Sequence, residues 1–261
     1  MRITYIGHAT MLIELNGKWV LTDPNFDDTL ARFLPRVRPP GIPLGDLPKL
    51  DAVLLTHAHA DHLSFRTLDR LPRSIPLYAP APVAAWLRRL GYAHAEAIDP
   101  GGRTVIGGVK LHAAAATHNG GRYALDRWRS AANMYLLDDG VEACFFAGDT
   151  ALTSDSHHLV EQVVGNSGRQ LDVALLPIGH APWWKPAYRR GHLTWQDALS
   201  LFERLSARCF IPYHWGTFQH VTSRPFDAVN QLRAMLPSYA RRQDVRILES
   251  GETLEYVRAR G

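Results

Sequence analysis

A chain of 261 residues, 46% hydrophobic and 21% charged, has the length and balance to bury a full core in one compact domain spanning 1–261. Its net charge of +4 comes without a long basic run, which gives no support to nucleic-acid binding and mildly favours an anionic substrate. No apolar stretch approaches the roughly 18 residues that span a bilayer, and the first residues lack a signal-peptide block, so a cytoplasmic protein is expected.

In chain order, Met11–Leu15 and Trp19–Thr22 flank Asn16-Gly17, a pair suited to a tight hairpin turn. The stretch from Leu30 to Pro48 is basic and proline-rich and reads as an ordered irregular loop. A buried strand from Asp51 to Thr56 runs directly into His57-Ala58-His59-Ala60-Asp61-His62. Phe65, Leu68 and Leu71 mark a short helix, and Pro82 to Leu90 a second. Val105 to Thr117 holds two strand-like pieces around Gly107-Gly108, and Ala131–Leu137 with Glu142–Ala147 forms a hairpin through Asp138-Asp139-Gly140. Val173–Pro177 is a short buried strand, Thr194 to Asp197 caps a helix through Leu205, and Cys209–Tyr213 is another strand. Phe226–Leu236 reads as a helix, and Val245–Leu248 with Thr253–Val257 as a closing pair of strands. Cys144 and Cys209 lie inside apolar runs, as buried free thiols do. Grouped strands with helices between the groups imply two packed sheets covered by helices.

Thirteen histidines stand against two cysteines, so metal chemistry here rests on nitrogen and oxygen donors. Their placement carries the argument. His57, His118, Asp149 and His214 each follow a different apolar strand, and strand carboxyl ends are where sites assemble in layered α/β proteins. Residues two apart on extended backbone point the same way, so His57 and His59 converge on one point. Asp61 and His62 then face a second point as the chain turns, and Asp149 is suited to lie between the two. Asp23, between a strand and Pro24, is placed either to accept a hydrogen bond from a ligand histidine or to close a turn, and His8 is a second candidate for the supporting role. Arg122, and Trp184 in the Pro182-Trp183-Trp184-Lys185 stretch, offer positive charge and aromatic surface for an anionic, small-molecule or lipid-like substrate. Tyr188-Arg189-Arg190 and the Arg127-Trp128-Arg129 run add to the same rim.

These residues, in this order, resemble the metallo-β-lactamase superfamily. The resemblance implies an α/β (α+β) fold, a four-layer αββα sandwich. It places His57, His59 and His118 on one divalent ion, Asp61, His62 and His214 on a second, and Asp149 between them. Tyr5-Ile6-Gly7-His8-Ala9-Thr10, Leu21-Thr22-Asp23-Pro24, Ala147-Gly148-Asp149-Thr150, Leu175-Leu176-Pro177-Ile178-Gly179 and His214-Trp215-Gly216-Thr217-Phe218 are similar to the branch that contains N-acyl-phosphatidylethanolamine phospholipase D and ascorbate-6-phosphate lactonases. That likeness gives His192 a part in the chemistry. The branch usually carries Arg-His, an aromatic, a small residue and Gly-Arg around its third ligand histidine, where this chain has Thr117-His118-Asn119-Gly120-Gly121-Arg122. The metal ligands are kept while the neighbouring pocket differs.

The expected activity is metal-dependent hydrolysis by a metal-bridged hydroxide, with Asp61 orienting the nucleophile and His192 moving a proton. Zn²⁺ is the expected metal, and the same donors accept Mn²⁺ or Fe²⁺. A phosphodiester is the preferred substrate, possible scissile groups including one like N-acyl-phosphatidylethanolamine. A lactonase or acyl hydrolase on the same site is the alternative, and an iron-dependent oxidoreductase is a third reading.

Overall fold

The computed structural model describes residues 1–30, 33–123, 126, 128–179, 189–219 and 224–258. Trp184, Tyr188 and Arg127, named above for the substrate rim, lie outside the described residues. Seven strands form one sheet: β1 (Arg2–Gly7), β2 (Thr10–Leu15), β3 (Lys18–Thr22), β6 (Ala52–Leu54), β7 (Leu77–Ala79), β8 (Ala95–Ala97) and β15 (Thr253–Glu255), in the order β15-β1-β2-β3-β6-β7-β8. Six more form the second sheet: β9 (Arg103–Ile106), β10 (Val109–Ala115), β11 (Asn133–Asp138), β12 (Ala143–Phe146), β13 (Val173–Pro177) and β14 (Cys209–Tyr213), in the order β14-β13-β12-β11-β10-β9. Five α-helices lie among the described residues: α1 (Phe65–Leu68), α2 (Ala81–Arg89), α3 (Ser154–Val163), α4 (Trp195–Arg204) and α5 (Asp227–Met235).

Alternation along the strands sorts the side chains into layers. On the first sheet Ile3, Tyr5, Met11, Ile13, Val20, Ala52 and Leu54 join a cluster with Leu111, Ala113, Met134 and Phe146 of the second. Ile6, Leu12, Leu21, Val53 and Leu55 face the other way and pack with Leu68 of α1 and Val83, Ala84 and Leu87 of α2. A one-residue slip would exchange these faces. Because each such side chain is worth about 1.5–3 kcal/mol when buried, the register is firmly specified. The strands Val173–Pro177 and Cys209–Tyr213 are buried at every position, as parallel strands covered on both faces must be. Their outer cover includes Leu159 and Val160 of α3 and Ala198, Leu201 and Phe202 of α4. The architecture is the αββα sandwich.

The Asn16-Gly17 hairpin forms, with φ of 51° and 69° at the two turn residues, and α4 begins with the Thr194/Asp197 capping box. Elsewhere the structure departs from the sequence reading. Val245–Leu248 is not a strand: Val245 makes one bridge to Phe210, and β15 pairs instead with β1, Ile3 opposite Leu254. The proline-rich segment carries a two-stranded ribbon, β4 (Thr29–Leu30) with β5 (Leu34–Pro35). Strands β1, β7 and β8 and helix α3 had no clear signal. Leu77–Ala79 and Ala95–Ala97 are three residues each, and α3 buries only Ser156, Leu159 and Val160, too few to set up a helical period.

Ladder directions now locate the site. Strands β1, β3 and β6 run parallel within their sheet, as do β10, β12 and β14 in theirs: antiparallel β2 and β11 separate the first two of each set, and the remaining pairings are parallel. Their carboxyl ends deliver His8, Asp23 and His57 from one sheet, and His118, Asp149 and His214 from the other.

Candidate metal centre

The scaffold begins with Asp23, fully buried at the end of β3. Its backbone N–H donates to Leu54 O at 2.8 Å. Its carboxylate accepts from Thr56 N at 2.8 Å, Thr56 Oγ1 at 2.6 Å and His62 Nδ1 at 2.7 Å. Asp23 therefore does hold a histidine of the cluster. Thr56 spends its single hydroxyl proton on Asp23, so at 2.9 Å it accepts from His57 Nδ1–H. That assigns the His57 tautomer and leaves Nε2 with its lone pair outward; this Nε2 is buried and has no hydrogen-bond partner. His118 is fixed in the same way, Nδ1–H donating to Gly191 O at 2.7 Å.

The remaining nitrogens converge. His118 Nε2 lies 3.1 Å from His59 Nδ1, and the donor atoms of His57, His59 and His118 all fall within 4.8 Å of one another. His62 Nε2 lies 3.4 Å from His214 Nε2. Asp61, His62, His214 and His8 form a second group within the same limit. Between the groups, Asp149 Oδ2 is 3.3 Å from Nε2 of each of His62, His192 and His214, while its Oδ1 is buried without a hydrogen-bond partner.

Backbone detail makes this convergence possible. Gly148, at φ +57°, brings the chain against Thr56, where an added Cβ would lie 2.7 Å from Thr56 Cγ2. Asp149 is thereby set beside the His57 turn. His8, Asp23 and His214 adopt φ of 57°, 36° and 66° without being glycine, a conformation that costs energy and is held only where surroundings over-determine it. His214 N donates to His8 O at 3.0 Å, and His8 N to Thr217 Oγ1 at 2.7 Å, which tie the two together. The His8 and His214 rings lie 3.9 Å apart, and His8 Nε2 meets Asp61 Oδ2 at 3.0 Å.

Electrostatics divide the cluster. Burial pushes His118 down to about 3, helped by His192 and His59, and holds His57 and His59 below the ordinary histidine value. These imidazoles are neutral, with lone pairs to give. Burial opposes charge at His62 and His214 too, but Asp149 and Asp61 outweigh it, raising His214 to about 9 and His62 well above its usual value. Burial also disfavours the Asp61 and Asp149 carboxylates, yet the facing histidines hold both well below the carboxylate range.

Divalent ions fit this arrangement. Two nitrogens each about 2.0–2.1 Å from a tetrahedral Zn²⁺ stand about 3.3 Å apart, close to the two nitrogen–nitrogen spacings here. The His57 Nε2 lone pair and Asp149 Oδ1 are buried acceptors without a hydrogen-bond partner, and a cation held among these donors would satisfy both.

Sequence reasoning missed Thr56, Asn25 and Thr217, polar residues flanking the motifs whose role lies in hydrogen bonds to them. Arg122, expected on the substrate rim, turns Nη1 inward instead, to Leu63 O at 2.6 Å and Ala58 O at 3.2 Å.

A family model for the β-lactamase superfamily domain matches residues 18–215. A metal-dependent hydrolase of Geobacillus sp. is 30% identical over 260 residues, 98% of this chain and 100% of the relative. An N-acyl-phosphatidylethanolamine-hydrolyzing phospholipase D of Caenorhabditis elegans is 26% identical over 255 residues, 88% of this chain and 68% of its own length. The chain spans 59% of a longer Mycobacterium tuberculosis relative. The isothiocyanate hydrolase from Delia radicum gut bacteria shares the fold, with a TM-score of 0.79 at 20% identity over 98% of this chain and 99% of that one. No described helix is long and apolar enough to cross a membrane. The extent of the family match, joined to a histidine and aspartate cluster built for cations, shows that the chain belongs to the metallo-β-lactamase superfamily and is a metal-dependent hydrolase.

Proposed function

We propose that the enzyme is a dinuclear phosphodiesterase acting on an anionic, lipid-like phosphoester. The observation that carries this reading is the position of Asp149, whose carboxylate faces His62, His192 and His214 at 3.3 Å while its second oxygen is buried and unpartnered. His57, His59 and His118 would hold one ion, Asp61, His62 and His214 the other, and Asp149 both; zinc is the expected metal. Bound ions of this kind activate water at neutral pH and polarise a phosphoryl oxygen.

The chain's own residues supply the rest. Asp23 and Thr56 fix the faces of His62 and His57 that point away from the centre. Asp61, braced by His8, orients the attacking water through its carboxylate. His192, 13% exposed at its side chain, faces Asp149 Oδ2 at 3.3 Å. It holds a proton at Nε2 and delivers it to the leaving alkoxide. The nematode phospholipase supports the phosphodiester preference, as does the net charge of +4.

The test is hydrolysis by the zinc-loaded protein of bis(p-nitrophenyl) phosphate and of N-acyl-phosphatidylethanolamine, set against a panel of lactones. Phosphodiester cleavage is expected. Lactone turnover with neither phosphodiester cleaved would sink the proposal and favour an acyl hydrolase.

A further inference from the structure

The turn from His57 to Leu63 delivers four candidate ligands from a stretch too short to satisfy its own backbone. His59 O accepts from His62 N at 3.1 Å and Leu63 N at 2.8 Å. The carbonyls of Ala58, Ala60, Asp61 and Leu63 are bound from outside the turn by two side chains. Arg122 takes its two ends, Ala58 and Leu63, with its guanidinium 5.3 Å over the Phe65 ring. Asn25 takes its middle, Nδ2 donating to Ala60 O at 3.0 Å and Asp61 O at 3.3 Å.

Asn25 is 1% exposed and uses its whole amide. Its Oδ1 accepts from Asp27 N at 3.0 Å, which assigns the amide orientation. Its own carbonyl accepts from Arg36 Nη2 at 2.6 Å, and its N–H donates to Thr10 Oγ1 at 3.1 Å. The group is therefore anchored independently of the turn that it grips. The segment it grips carries one candidate ligand, Asp61, whereas Arg122 spans the residues that carry His59 and His62.

We infer that Asn25 is a positioning residue for the Asp61 side of the centre, setting that carboxylate through the Ala60 and Asp61 carbonyls, with Arg122 as the general brace of the turn. The inference rests on the two-ion reading. Replacing the Asn25 amide nitrogen by oxygen sets a carboxylate against two carbonyl oxygens, which pushes the Asp61 backbone away while Oδ1 keeps its contacts.

The experiment is competition titration of Zn²⁺ into chelator-stripped protein against a chromophoric chelator, for wild type, Asn25→Asp, Asn25→Ala and Arg122→Met. Thermal unfolding of each metal-free protein accompanies it. Wild type is expected to take up two ions per chain. The Asn25 variants should bind one of them roughly 10–100-fold more weakly, the usual cost of losing an outer hydrogen-bond partner, with the other affinity near wild type and the metal-free midpoint lowered by the bonds lost. Arg122→Met should weaken both. Asn25→Ala introduces no charge and serves where Asn25→Asp does not fold. Wild-type affinities in the Asn25 variants, or equal losses at both ions, would overturn this role alone. One ion per wild-type chain would overturn the two-ion reading and the role with it.

Discussion

The two halves of the centre are built from the same residue type in opposite surroundings. Burial outweighs the pull of Asp149 on His57, His59 and His118, and of Asp61 on His59, and keeps these three neutral. His62 and His214 face Asp61 and Asp149, with Asp23 behind His62, and are pulled towards the charged form. One half is a set of ready lone pairs; in the other, carboxylates and histidines favour opposite charges and hold each other. Histidine count alone therefore says little about a site, and the position of the carboxylates decides its character.

Replacing the carboxylate between the halves should have the largest effect. Asp149→Asn should reduce hydrolysis to background and lower bound zinc, measured by elemental analysis; wild-type metal content and rate would break the comparison. His192→Ala should lower kcat by about 10²–10⁴-fold, the usual range for a lost proton-transfer group. Metal content should be unchanged, which separates His192 from the ligands on either side. Asp23→Asn touches the carboxylate-rich half through His62 and should weaken metal binding roughly 10–100-fold, detectable by chelator competition.

The smallest effect is on the stability of the metal-free protein as pH changes. Burial opposes charge on His214, but Asp149 and Asp61 lift it from 6.5 to about 9. Its contribution is thus complete below pH 6.5 and lost as pH rises to about 9. Burial lowers His118 from 6.5 to about 3; the unfolded chain binds the proton first, so stability falls as pH drops from 6.5 towards 3. Scanning calorimetry should find the highest unfolding midpoint near pH 6.5, with a decline on both sides. A midpoint that climbs steadily to pH 9 would contradict the assignment of His214.

Much of this was legible in the chain itself. The Asn16-Gly17 turn, the Thr194 cap and the placement of His57, His118, Asp149 and His214 after apolar runs depend on local signals of few residues. Asp23, at a strand end, reads equally as a histidine partner or a turn carboxylate, and the fold decides for the first by bringing His62 to it. Asn25 and the inward course of Arg122 were hidden, since their partners are backbone carbonyls and carry no side-chain pattern. The pairing of β15 with β1 was hidden for another reason: neither short strand contains information about a partner some 250 residues away.

That pairing has a consequence for how the enzyme is made. On the ribosome β1 emerges early with its β2 neighbour, while its other edge waits for almost the whole chain. His8 sits at the end of this strand, and its tie to His214 is nearly as remote in sequence. Such long-range closure slows folding, so the carboxylate-rich half is completed late in synthesis. His57, His59 and His118 are all made well before His214, though the Gly191 carbonyl that holds His118 follows later. On the proposed two-ion reading, the histidine-only half is complete in sequence while much of the chain, His214 included, is still to be synthesised.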